Sequence, residues 1–209
     1  MGASMGRRWI AAMAGLAFAS CATESGSFPP PATGVVIVAT GVLSLNAGNG
    51  TAVLGSATCS VGTSSAGVAV AALLASDQPA TCTYLLEGEE KANARSIEIV
   101  VVRVDLSNLT TSITPGSYAV QSGASAEGTY ALVSVVQRDA SCGVSEVTAF
   151  AGTVTVISID GTELEGTVDA QLTDGGTVIG SFGADLCSAS FPGDVCAGSI
   201  GPSNAVCAP

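Results

Sequence analysis

Histidine is missing from all 209 residues. Its absence removes the commonest general base, the Ser–His and Cys–His nucleophile pairs and the histidine-ligated catalytic zinc sites. Tryptophan and methionine are almost as scarce. Trp9 and the three methionines (Met1, Met5, Met13) all fall within the first twenty residues. Beyond residue 20 the aromatic residues are Phe28, Tyr84, Tyr118, Tyr130, Phe150, Phe182 and Phe191. Stacking platforms for sugars and aromatic anchors for protein partners are therefore poorly supplied. Basic residues are few as well. After residue 20 only Lys91, Arg95, Arg103 and Arg138 stand against seventeen acidic residues, a net charge of 4 − 17 = −13. A surface of that sign repels phosphate backbones, so no nucleic-acid partner is expected, and solubility outside the cell accounts for the charge.

The first twenty residues, MGASMGRRWIAAMAGLAFAS, have the three parts of an export signal. Arg7 and Arg8 supply the positive flank, 9–18 the apolar segment, and Ala19 and Ser20 the small residues before Cys21. The apolar segment is shorter than the ~20 residues that a helix needs to span a bilayer. The run Phe18-Ala19-Ser20-Cys21 resembles the lipobox of bacterial lipoproteins, in which a small residue precedes an invariant cysteine; Phe18 stands where Leu, Val or Ile is usual. The resemblance implies cleavage before Cys21 and acylation of that cysteine. Ala22 in place of Asp resembles lipoproteins passed on to the outer membrane, so an outer-membrane lipoprotein of the cell envelope is the expected location; the alternative is an ordinary signal peptide cut nearby, which gives a secreted or periplasmic protein.

Cysteine parity agrees with this reading. Setting Cys21 aside leaves Cys59, Cys82, Cys142, Cys187, Cys196 and Cys207, an even number in an exported chain, which points to three disulfides. There is no CxxC pair to suggest zinc. Of the fifteen pairings that six cysteines allow, Cys59–Cys82, Cys142–Cys187 and Cys196–Cys207 are expected.

Past a Ser/Pro/Gly tether over 21–34, with Pro29, Pro30 and Pro31 favouring an extended spacer, short runs rich in Val, Ile and Thr alternate with Gly, Asn, Asp and Ser. That pattern predicts an all-β domain over 35–187, a single antiparallel β-sandwich or small β-barrel built from hairpins. Strands are expected at 35–46, 67–75, 81–89, 96–106, 117–122, 129–139, 146–160, 163–173 and 177–187. The Ala-rich run 67–75 also suits a helix. In ELEGTVDAQLTDGGTVIGSFGADL, Leu164, Gly166, Val168, Ala170 and Leu172 alternate with polar residues. Asp174-Gly175-Gly176 then supplies a turn, and Val178, Gly180, Phe182, Ala184 and Leu186 keep the phase. The alternation breaks at Val156-Ile157, which predicts a bulge or a strand buried on both faces. Thr114-Pro115-Gly116-Ser117 reads as a type II turn, with Tyr118 packing behind it. The tail 188–209 is expected to be stapled by its cysteines.

The GTVTV, LEGTVDAQL, GGTVIGSF and LC segments of 142–187 resemble a group of β-rich lipoproteins of myxobacteria-like organisms with no assigned activity. The resemblance implies a fold and a location, and it brings no functional residues.

Three arrangements could carry chemistry. Glu163, Glu165 and Asp169 share one strand face, with alternate positions about 6–7 Å apart, a spacing compatible with paired carboxylates. Solvated strands show the same spacing without catalysis. Asp160, Glu163 and Asp174 are loop oxygens that suit calcium, although turn chemistry explains an Asp beside Gly equally well. Lys91, the sole lysine, could activate a serine, but Glu89 and Glu90 beside it oppose a lowered lysine pKa. None of these outweighs its structural explanation. No catalytic residue, metal or cofactor is expected. The expectation is a monomeric, lipid-anchored surface protein with a non-catalytic structural or binding role. The alternatives are a small β-barrel carrying an apolar ligand and, more distantly, a secreted hydrolase using carboxylates.

Overall fold

The computed structural model describes residues 35–38, 42–45, 50–61, 64–77, 82–125, 127–188, 195–196 and 206–208; for 35–38, 42–45, 61, 84, 89–90 and 206–208 the description is of the backbone. The expected signal, the tether and Cys21 lie outside the described residues. The strands are β1 (Val35–Val38), β2 (Val42–Leu45), β3 (Gly50–Val61), β4 (Ser64–Ser76), β5 (Glu89–Lys91), β6 (Arg95–Asp105) and β7 (Gly116–Val120). They continue with β8 (Gly128–Arg138), β9 (Val144–Ile159), β10 (Glu163–Leu172), β11 (Thr177–Leu186) and β12 (Val206–Ala208). Among the described residues one helix, α1 (Cys82–Glu87), joins them. The class is all-β, as the alternation and turn chemistry predict.

Ten strands share one ladder in the order β1-β2-β11-β10-β9-β7-β8-β6-β4-β3, and β11 also pairs with β3, so the ladder meets itself. The closure is short and parallel, matching Ala184, Asp185 and Leu186 with Gly50, Thr51 and Ala52. Parallel pairing also joins β11 to β2 and β7 to β8, which corrects the expectation of a purely antiparallel sheet. Strand β11 lies far along the chain from β2 and β3, and β7 and β8 are joined by the loop 121–127 rather than by a tight turn; only strands joined by tight turns are held antiparallel by their connection.

Three segments depart from the sequence reading. The run 81–89, expected as a strand, folds into α1, then Gly88 with φ 70°, then the short β5. Its apolar contacts explain why: Leu85 is buried, and Cys82 and Leu86 pack beside it on the same cluster. Positions 82, 85 and 86 share one helix face but alternate across a strand. The run 35–46 divides into β1 and β2, paired from Val35↔Leu45 to Val38↔Val42. Strand β3 was not predicted at all; its GTAVLGSATCSV sequence is dominated by small residues with little β propensity, and pairing with β4 along its whole length holds it extended.

The Ala-rich 67–75 is part of strand β4. It lies between β3 and β6 and is buried on both faces from Ala66 onward. A strand covered on both sides reads as a continuous apolar run rather than an alternation, and β6 shows the same pattern. Two cores result. The larger takes Leu73, Ile97, Ile99, Val101, Val133, Val154, Leu164, Val168 and Phe182 from nearly every strand of the ladder. The smaller lies on the opposite face of β3, β4, β6 and β8, where Val70, Leu74, Val100 and Val102 meet Leu85 of α1.

The β10–β11 hairpin follows the sequence reading closely. Buried and exposed residues alternate along β10 without a break, and the register runs from Glu163↔Asp185 to Gln171↔Thr177. Gly166 faces Phe182, and a Cβ at Gly166 would run into the Phe182 ring and the Thr155 carbonyl. The turn is closed by Gly175 N–H donating to Leu172 O (3.0 Å) and Leu172 N–H donating to Gly176 O (2.8 Å). Gly175 has φ 88°, as a three-residue hairpin loop requires. On the other side of β10 the register slips twice against β9. One slip leaves Ile157 without a partner between Val156 and Ser158, which is the expected bulge; the other leaves Phe150 between Ala149 and Ala151. Both bulged side chains are about half exposed.

Tyr118 packs as anticipated. It is 3% exposed, its hydroxyl donates to Thr114 O at 2.6 Å, and Thr114 N–H donates back to it at 3.2 Å. The ring fills the larger core while the hydroxyl ties back to Thr114; Gly116, with φ 154°, already begins β7, so the chain passes into the strand without the expected type II turn. Tyr118→Phe is expected to lower stability by about 1 kcal/mol, because the exposed Thr114 groups regain water. Urea denaturation at neutral pH measures this, and an unchanged midpoint would show that the hydroxyl contributes nothing.

The disulfides correct the expected pairing. Cys59 bonds Cys196, and Cys82 bonds Cys187. Cys142 is disulfide-bonded as well. The reason is the direction of the strands. Cys142 precedes β9 and Cys187 follows β11, so three antiparallel strands separate them and leave them at opposite ends of the sheet. Cys59 sits near the β3–β4 turn, opposite Ala66, whereas Cys82 follows the far end of β4. Cys187 instead reaches β3, where its N–H donates to Ala52 O at 2.8 Å. Cys82 and Cys187 thus meet under α1. In the tail, Val195 packs on the smaller core and β12 runs parallel to β5. Among the described residues no helix is long and apolar enough to cross a membrane.

Candidate functional site

The carboxylates Glu163, Glu165 and Asp169 do share one face of β10, as the alternation requires. Across the ladder Glu165 lies between Ser158 and Gly183, Thr167 between Thr155 and Ser181, and Asp169 between Thr153 and Ile179. Ser158 Oγ donates to Glu165 Oε2 at 2.7 Å. The face is open: Glu165, Thr167 and Asp169 are exposed, and Glu163 is half-buried against Gly183. A general acid at neutral pH needs a carboxyl held protonated by burial or by a close second carboxylate. This face supplies hydroxyl neighbours and water instead.

The loop oxygens considered for calcium are not brought together. Asp160 stands at the β9–β10 turn and Asp174 at the β10–β11 turn, with the ten residues of β10 between them, a separation of roughly 30 Å. Among the described residues no group of three or more His, Cys, Asp or Glu is placed to hold a metal ion. Each aspartate has a local role. Asp160 Oδ1 accepts from Thr162 N–H, Thr162 Oγ1 and Glu163 N–H at 2.8–2.9 Å. Asp174 Oδ1 accepts from Gly176 N–H at 2.9 Å.

The same device recurs in two other loops. Asp105 Oδ1 accepts from Ser107 N–H, Ser107 Oγ and Asn108 N–H at 2.7–3.0 Å. Asp139 Oδ1 accepts from Ser141 N–H, Ser141 Oγ and Gly143 N–H at 2.7–2.8 Å. In each case a hydroxyl residue two places after the aspartate supplies both a backbone and a side-chain donor, which is the Asx-turn arrangement. These donors hold all three carboxyls below the ordinary carboxylate range. The Ser107 hydroxyl is the largest influence on Asp105, the Ser141 hydroxyl on Asp139, and the Thr162 N–H on Asp160.

A depressed folded pKa means that the unfolded chain binds more protons just below the ordinary value of 3.8. The contribution of the three turns is therefore complete above that value and is lost as pH falls through the lower folded values. The triple variant Asp105→Asn, Asp139→Asn, Asp160→Asn keeps an acceptor in each turn but cannot titrate. Between pH 5 and pH 2 its stability is expected to fall less steeply than that of the natural protein. Urea midpoints across that range test this; parallel curves would show that the turns do not carry the acid sensitivity.

Lys91 lies exposed in β5, opposite Ala208 of β12. The polar residues that sequence reasoning passed over are buried. Glu98 is 3% exposed on the face of β6 that carries the smaller core, with Leu74 and Ser134 as its ladder partners. Ser96, Ser76 and Ser134 are buried on the same face, and Arg138 is buried four residues beyond Ser134 on β8. The sequence does carry a signal for this. In SIEIVVVRVDL, Glu98 shares its parity with Ser96, Val100, Val102 and Val104, so a face that is apolar from Val100 onward also holds one carboxylate. A carboxylate taken out of water in this way must be hydrogen-bonded or paired, and the serines of neighbouring strands give this patch a polar surround. No protein-family model, curated protein or solved structure matches the chain.

Proposed function

We propose that this chain is an exported, lipid-anchored surface protein with a non-catalytic structural or binding role. The observation that carries the reading is the disulfide set, Cys59–Cys196 and Cys82–Cys187 with Cys142 also bonded. Such bridges form and persist in an oxidising compartment outside the cytoplasm. Cys21 at the end of the apolar run then has a separate use, as the acylated first residue of an outer-membrane lipoprotein. The carboxylates on β10 face solvent among hydroxyls, a setting that favours display over acid–base chemistry. Phe182, Leu164, Val168 and Val154, buried in the larger core, favour a filled domain over a carrier of an apolar ligand.

Intact mass of the protein extracted by detergent from its native host tests the anchor. The expected result is a chain beginning at Cys21 that carries acyl mass. A soluble chain without acyl mass would overturn the anchor and leave an exported, disulfide-bonded domain.

A further inference from the structure

Two bridges are placed by the fold, and Cys142 belongs to neither of them although it is disulfide-bonded. The cysteines that remain are Cys21 and Cys207. We infer that the partner of Cys142 is Cys207, so that a third bridge ties the C-terminal strand to the β8–β9 turn.

Backbone pairings and hydrogen bonds connect the two positions. Strand β12 runs parallel to β5 with Cys207 opposite Glu90 and Ala208 opposite Lys91. Directly after β5 the chain turns through Asn93, whose N–H donates to Asp139 O at 3.2 Å, while Arg138 N–H donates to Ala94 O at 2.8 Å. Asp139 O also accepts the Cys142 N–H at 3.0 Å. Position 207 is therefore linked to position 142 through β5 and two backbone contacts with the β8–β9 turn. Cys142 itself has φ 66°, a left-handed conformation that a non-glycine residue holds only where its surroundings over-determine it. Asp139 holds the turn from within, by accepting from Ser141 and Gly143, and a covalent tie at Cys142 holds it from without. Parity points the same way, since a Cys142–Cys21 bond would leave Cys207 as a lone thiol in an oxidising compartment.

The bond forms by two exchanges. The thiolate of one cysteine attacks a disulfide of an oxidised dithiol carrier, giving a mixed disulfide and releasing one carrier thiolate. The second cysteine thiolate then displaces the other carrier sulfur. The two thiols lose two protons and two electrons, and the carrier leaves as its reduced dithiol.

Peptide mapping of the unreduced full chain tests the connectivity. Exposed thiols are first alkylated, and elastase is used because no Lys or Arg follows Arg138. A linked pair of peptides containing Cys142 and Cys207, separated by dithiothreitol, is the expected result. A peptide linking Cys142 to Cys21, or an alkyl group on Cys207 before reduction, would overturn the inference. In a Cys207→Ala chain, Cys142 should become alkylatable without reductant while the Cys59–Cys196 and Cys82–Cys187 peptides stay linked. A Cys142 still blocked in that variant would also refute the assignment. The mapping does not depend on acylation, which the intact mass reports separately.

Discussion

Replacing Cys82 and Cys187 together by alanine is expected to lower the stability of the domain by about 3–4 kcal/mol. That is a large share of the ~5–15 kcal/mol that holds a typical domain folded. The two described bridges are nested: residues 82–187 lie inside the span of Cys59–Cys196. With both bridges present, the unfolded chain contains one long loop and one short ring made of 59–82 and 187–196. Removing the inner bridge merges them, so the entropy released is that of closing the short ring. The native state loses something as well. Cys187 is buried on the smaller core beside Leu85, and Cys82 begins α1. That helix has only six residues, too few to persist without tertiary contacts, so loosening of α1 should accompany the loss. Thermal and urea unfolding under oxidising conditions measure the change. A loss below about 1 kcal/mol would mean that hydrogen bonds such as Cys187 N–H to Ala52 O already secure this end of β11.

Gly152→Ala should cost about 2–4 kcal/mol from a single methyl group. Gly152 has φ 130°, and a Cβ there would meet the Asp169 carbonyl on β10, with Ala170 Cα at 2.6 Å. The obstacle is backbone on both counts, so no side chain can swing aside. The position matters because it adjoins the slip that leaves Phe150 without a partner; the glycine lets β9 follow β10 closely just past its bulge. The control is Gly123→Ala. Nothing lies within 4 Å of a Cβ there and its φ is ordinary, so the change should fall within about 0.5 kcal/mol or stabilise slightly. Equal effects at the two sites would show that the close approach of β9 to β10 is not rigid.

Much of this protein was legible from its sequence, because each such feature is a local consequence of residue type. Alternation in ELEGTVDAQL placed the buried face of β10 without reference to any neighbour, and the break at Val156-Ile157 marked an irregularity, a bulge or a doubly buried strand, of which the structure has the bulge. Asp beside Gly at 160–161 and 174–175 marked turns whose hydrogen bonds close within four residues. Cysteine parity and composition likewise needed no fold to suggest disulfides outside the cytoplasm. The tertiary structure decided what depends on contacts distant in the chain. Strand β3 is extended because β4 pairs with it, and 82–87 is helical because Leu85 and Leu86 find an apolar face to cover. Glu98 became a buried carboxylate only when β4 and β8 flanked it on both sides. The disulfide pairing was the feature furthest from the sequence's reach. Which cysteines meet depends on which end of an antiparallel sheet each one occupies, and every additional strand reverses the answer.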